Sequence, residues 1–188
     1  MTIGVITGIV ILSGILLLAR ANRSTGFDYS GYPELAVTSP SFPNGTIPVE
    51  FTGNGADRSP ALVLADVSEK AVSMAVIMDD LDVPVAGILN HWTIWNIPPR
   101  DALPEGISHG ATVPELDNAI QGVGYGRHRY RGPKPPFGSH RYRFHVFVLD
   151  TMLDLEDTSG KKDLLAAMDG HILQYGSVTG VYPGEKPE

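Results

Sequence analysis

Apolar residues cluster along this chain in short, well-separated pieces. Leu35–Thr38, Ile47–Phe51, Ala61–Leu64, Val72–Met78, Trp92–Ile97 and Tyr142–Leu149 are each four to eight residues long and rich in Val, Ile, Phe and Trp. Turn formers such as Pro43-Asn44-Gly45 and Gly53-Asn54-Gly55 separate them, which predicts strands joined by tight connections. Strands following one another without intervening helices predict a mainly β protein of two packed, mostly antiparallel sheets. One helix is expected. Behind a cap at Thr158 or Ser159, the stretch Lys161–Leu173 puts Leu164, Leu165, Met168 and Ile172 at helical spacing, with Gly176 as a stop.

The pattern is different at the start. Residues 1–19 carry no charge, and Ile3–Ala19 is a 17-residue apolar run broken only by Thr7 and Ser13. That length is at the short end of the ~17–25 residues of a membrane span and above the ~7–15 of a signal-peptide core. The reading is a single N-terminal hydrophobic helix that anchors the protein through residues 1–19. Arg20 and Arg23 then hold the domain on the cytoplasmic side. The alternative is cleavage after Ala21 at Ala19-Arg20-Ala21, which would export the rest. The division is therefore a hydrophobic segment at 1–21, a polar linker at 22–31 and one globular domain at 32–188.

Composition narrows the class. A chain of 188 residues, 43% hydrophobic and only 19% charged, is neither disordered nor a coiled coil. Its lack of cysteine removes disulfides, thiolate nucleophiles, Cys-ligated zinc and iron–sulfur clusters together. The net charge of −7 argues against a nucleic-acid partner. Charge is unevenly placed, however. No acid lies between Asp117 and Asp150, a stretch that holds Arg127, Arg129, Arg131, Lys134, Arg141 and Arg143, so +6 sits on a remainder of −13. A local anion site is the implication.

Three places carry chemical potential. Asp79-Asp80-Leu81-Asp82 ends an apolar strand, where its three carboxylates form a solvated turn or require compensating donors. The strand from His91 to Ile97 alternates so that His91, Thr93, Trp95 and Ile97 share one face and Trp92, Ile94 and Asn96 the other. The segment Tyr130–Phe144 starts as a loop stiffened by Pro133, Pro135 and Pro136. It continues as a strand with His140, Tyr142, Phe144 and Val146 on one face and Arg141, Arg143 and His145 on the other.

Together these segments resemble the phosphatidylethanolamine-binding protein family, also called Raf kinase inhibitor proteins, in its prokaryotic branch. The resemblance rests on Asp80-x-Asp82-x-Pro84, His91-Trp92-x-x-Trp95-Asn96-x-Pro98, Tyr130-x-Gly132-Pro133-x-Pro135-Pro136, Gly138-x-His140-Arg141-Tyr142 and Ser59-Pro60-Ala61-Leu62. It implies a small pocket for phosphate, a phosphorylated small molecule or a phospholipid head group, built from Asp80, His91, His140 and Tyr142. Asp82 falls at the family's second acid and Lys134 in the loop lining the mouth. Two histidines and a phenol can donate to phosphate oxygens, with Asp80 orienting a histidine. Arg127, Arg129, Tyr130 and Arg131 are read as a rim. One departure stands out: Val123-Gly124-Tyr125-Gly126 replaces the family's usual Asn-Asp-Phe-Gly, removing two side chains from the anchoring of the loop. No cofactor or metal is expected, since no Gly-rich phosphate loop, nucleophile elbow or His-x-x-x-His pair is present. The expected function is non-enzymatic binding, with hydrolysis by the Asp/His pocket as the alternative. A regulator docking a protein partner near Lys134 is a further reading, and nothing in the sequence names that partner.

Overall fold

A computed structural model describes residues 29–84 and 87–184; the N-terminal apolar run lies outside them. Among the described residues no helix is long and apolar enough to cross a membrane. Among the described residues nine strands form two antiparallel sheets. The small sheet has the order β1 (Ala36–Thr38), β2 (Leu62–Ala65), β5 (Ala102–Leu103). The large one runs β6 (Thr112–Val113), β7 (Ala119–Gln121), β4 (Gly87–Ile97), β3 (Ser73–Val83), β8 (Ser139–Leu149), β9 (Ile172–Pro183). The large sheet is covered on both sides. One face joins the small sheet around Leu62, Leu64, Met74, Val76, Met78, Trp92, Phe144 and Val146. The other packs Ala75, Ile77, Trp95, Phe147 and Leu149 against Leu164, Leu165 and Met168 of α1 (Lys161–Met168). Double coverage explains why Met74–Met78 is apolar without alternation.

Several expectations are corrected. Ile47–Phe51 is not a strand. Pro48, with φ −63°, leads into a 3-10 turn at Val49–Phe51, and only Ile47 pairs, through its N–H to the Val181 carbonyl at 2.9 Å. The helix begins behind Gly160, whose N–H donates to the Asp163 carboxylate at 3.0 Å, and stops at Met168. Gly170 takes φ +78°, a conformation for which glycine carries no Cβ penalty. The chain then reverses into β9, so Ile172 and Leu173 belong to a strand that pairs with β8 along its length.

The largest correction concerns β4. Met78 pairs with Trp92 but Asp79 pairs with Asn90, so His91 is an extra residue in the ladder; a second irregularity falls between the Val76–Ile94 and Met74–Ile97 pairs. These bulges break the period of two. Ile94 and Ile97 both enter the inter-sheet core, Trp95 enters the helix-side core, and His91 turns toward Tyr142 on the inter-sheet face.

Candidate functional site

Adjacent strands β3 and β8 lie in register as Asp80 against Tyr142 and Asp79 against Arg143. The three acids are therefore strand residues, with Asp79 and Asp80 buried on opposite faces, and not a solvated turn. Each is compensated separately. Asp82 receives the Arg141 backbone N–H at 2.8 Å and its Nε and Nη2 at 2.9 and 2.6 Å; these bonds hold its carboxyl down at about 2. Asp80 accepts the Asp82 backbone N–H on Oδ1 at 2.9 Å, and His140 Nδ1 lies 2.7 Å from its Oδ2. Both oxygens are occupied, so Asp80 fits the role of a carboxylate that orients His140.

His91, His140 and Tyr142 are all buried. His91 meets Tyr142 edge to face at 5.3 Å between ring centroids, and His140 stacks on Tyr142 at 6.4 Å. His91 Nδ1 donates to the Arg131 carbonyl at 2.8 Å, since a carbonyl can only accept. Burial holds the His91 imidazole below its ordinary pKa, against the opposing pull of that carbonyl and of Asp80. Neither His91 nor His140 has a partner for Nε2 among the described residues. The Tyr142 hydroxyl is buried and without a hydrogen-bond partner there too. It lies beside Asp80, and burial, that neighbouring charge and the carboxylate's pull as a hydrogen-bond acceptor raise its pKa well above the ordinary phenol value. One hydroxyl and two imidazole edges thus converge with unspent hydrogen-bonding capacity.

The loop after β7 closes this cluster through its backbone. Tyr125 N–H donates to the Asn90 carbonyl at 2.8 Å and Gly126 N–H to that of His91 at 2.9 Å. A side chain at Gly124 would sit 2.6 Å from Asn90 Oδ1, so glycine permits the approach. Main-chain bonds to β4 therefore anchor the stretch that departs from the family's usual motif. Farther on, Gly132 N–H donates to Asp57 Oδ1 at 2.6 Å, and Gly53 N–H to the Pro133 carbonyl at 2.9 Å.

The expected rim is only partly a rim. Tyr130 is a core residue whose hydroxyl donates to the Phe51 carbonyl at 2.8 Å. Arg129 lies 3.8 Å from Asp57, and Arg131 covers the Tyr125 ring at 4.7 Å. Arg127 and Lys134 are exposed. Sequence reasoning missed Tyr125, the Arg131 carbonyl and Asp57, which act through backbone or loop contacts that no residue pattern announces. It also missed a second buried network on the opposite face. There Lys161 Nζ donates to Asp79 Oδ2 at 2.6 Å, Asn90 Nδ2 reaches Asp79 Oδ1 at 3.2 Å, and His145 Nε2 stands 3.4 Å from Oδ2. Burial alone would raise the Asp79 pKa, but the His145 bond and the Lys161 charge bring it below the ordinary value. His145 is lowered by burial. Among the described residues no three of His, Cys, Asp and Glu come together as a metal ligand set.

A family model described as phosphatidylethanolamine-binding protein matches residues 38–183. The chain is similar to the UPF0098 protein of Pyrococcus abyssi, with 42% identity over 156 residues that cover 81% of this chain and 87% of the relative. Its structure is similar to a phosphatidylethanolamine-binding protein homolog from Chlamydia trachomatis, with a TM-score of 0.71 and 34% identity, covering 81% of this chain and 99% of that one. It is also similar to YbcL of E. coli, described as a new member of the mammalian family, with a TM-score of 0.69, 27% identity and coverage of 80% and 98%.

Proposed function

Because the chain belongs to the phosphatidylethanolamine-binding protein family, we propose that it is a non-enzymatic binding protein whose Asp80, His91, His140 and Tyr142 take a small phosphate-containing anion, free or as a phospholipid head group. Membership of the family supports ligand binding. The observation that carries the anion reading is the buried Tyr142 hydroxyl with no partner among the described residues. A buried hydroxyl left unpaired costs about 1–3 kcal/mol, and a phosphate oxygen would satisfy it. Asp82 is spent on Arg141 and acts at the edge of the site, while exposed Lys134 contributes charge at the mouth. Residues 1–19 hold the domain at a membrane in this reading, with the domain on the cytoplasmic side.

Titration with inorganic phosphate, followed through the imidazole NMR signals, tests the site. The His91 and His140 rings respond saturably, while exposed His109 and His171 do not. A response shared by all four, or by none, would overturn the assignment. Incubation with a phosphomonoester releases no inorganic phosphate beyond the uncatalysed rate; turnover lost in His140→Ala would instead establish the hydrolase.

A further inference from the structure

We propose that the pocket selects phosphate groups that still carry a proton, and so takes phosphomonoesters or inorganic phosphate in preference to phosphodiesters. This rests on the anion-site reading and narrows its ligand class, leaving among phospholipid head groups only those that end in a phosphomonoester. Its basis is hydrogen-bond direction. The His91 ring gives its Nδ1 proton to the Arg131 carbonyl, and a neutral imidazole so engaged presents a bare lone pair at Nε2. His140 is held differently, its Nδ1 2.7 Å from the Asp80 carboxylate, and the proton requirement rests on His91. An oxygen of a fully deprotonated phosphate has only lone pairs to set against the Nε2 of His91. A P–OH donates to it, while Tyr142 donates to another oxygen of the same group.

Several neighbours act on His91. Asp80 and Asp79 of β3 favour its protonation, whereas Arg131 and above all burial oppose it. Tyr142 of β8 and Tyr125 of the loop contact the ring edge to face, with His140 beyond Tyr142. Each oxygen of Asp80 already has one partner, the Asp82 N–H on Oδ1 and His140 Nδ1 at Oδ2. The proton given to His91 Nε2 is carried in by the phosphate, so binding weakens as the ester loses it above its second pKa of about 6.

Ethyl phosphate and dimethyl phosphate are isomers of equal charge at about pH 5.5, differing in one P–OH. Calorimetry on the full chain is expected to give at least about tenfold tighter binding of ethyl phosphate there, since the diester leaves a buried acceptor unpaired. Ethyl phosphate affinity is expected to fall toward tenfold per pH unit above about pH 7. In the complex, long-range 1H–15N spectra show His91 protonated at Nδ1 alone. Equal binding of the two isomers, or a doubly protonated His91 in the complex, would overturn the proton requirement and leave the anion site standing. If neither isomer nor inorganic phosphate binds, the anion site itself falls.

Discussion

At the scale of single residues the pocket is a problem of unmade hydrogen bonds. Tyr142→Phe removes a buried hydroxyl without a partner among the described residues, so stability should be unchanged or raised by up to about 1 kcal/mol. Phosphate affinity should fall about three- to tenfold. Calorimetry beside urea unfolding reads both, and a loss of stability would mean that Tyr142 already has its partner. Burial places a second signature on the histidines. His91 and His145 are both depressed in the folded protein, and unfolding returns them to about 6.5. The unfolded chain then binds more protons below that pH. Their contribution is fully present above about pH 6.5 and declines as pH drops toward the folded values, by at most about 1.4 kcal/mol per group and pH unit. The urea midpoint should fall steadily from pH 7 to pH 5; a flat midpoint would contradict their burial as neutral rings. His140 and Tyr142 were legible because β8 keeps strict alternation, whereas Asp80, on β3, was placed by the Asp80-x-Asp82-x-Pro84 resemblance. His91 was placed by resemblance, since a bulge decides which way it points. Tyr130 was misread because its arginine-rich surroundings conceal a hydroxyl that reaches the Phe51 carbonyl.

At the scale of elements the large sheet separates two polar systems by one residue step, with Asp80 facing the pocket and Asp79 facing the helix. Lys161 joins α1 to the sheet by a buried ion pair with Asp79. Lys161→Met should cost about 3–5 kcal/mol by stranding that carboxylate, and adding Asp79→Asn should restore much of the loss. Thermal melts of the single and double variants measure it. A double variant as unstable as the single would mean that Lys161 acts through packing alone. The strand pattern located β1 and β2 to within one residue at each end, and β3, β4 and β8 with shortened bounds, because their apolar runs lie in the cores. It missed β9, whose first residues continue the helical spacing of α1 until Gly170 reverses the chain. The two-residue strands β5 and β6 are too short to show any period.

At the scale of the whole molecule the electropositive segment is less open than its charge implies. Asp82 takes Arg141, Asp57 lies near Arg129, and Tyr125 lies beneath Arg131, so among the expected rim residues Arg127 is the exposed cation. The membrane expectation lies on residues 1–19, outside the described part. Intact-mass measurement on protein taken from its native membranes should find the chain from residue 1; a washed-off species beginning at Asn22 would establish export instead. The central claim is that a pocket oriented by Asp80 and closed by the β7–β8 loop binds a phosphate through His140. Titration calorimetry with inorganic phosphate on the wild-type and His140→Ala proteins tests it most directly. Loss of a charge-assisted bond of ~1.5–3 kcal/mol predicts about ten- to a hundredfold weaker binding in the variant. Unchanged affinity in a folded His140→Ala protein would contradict the account.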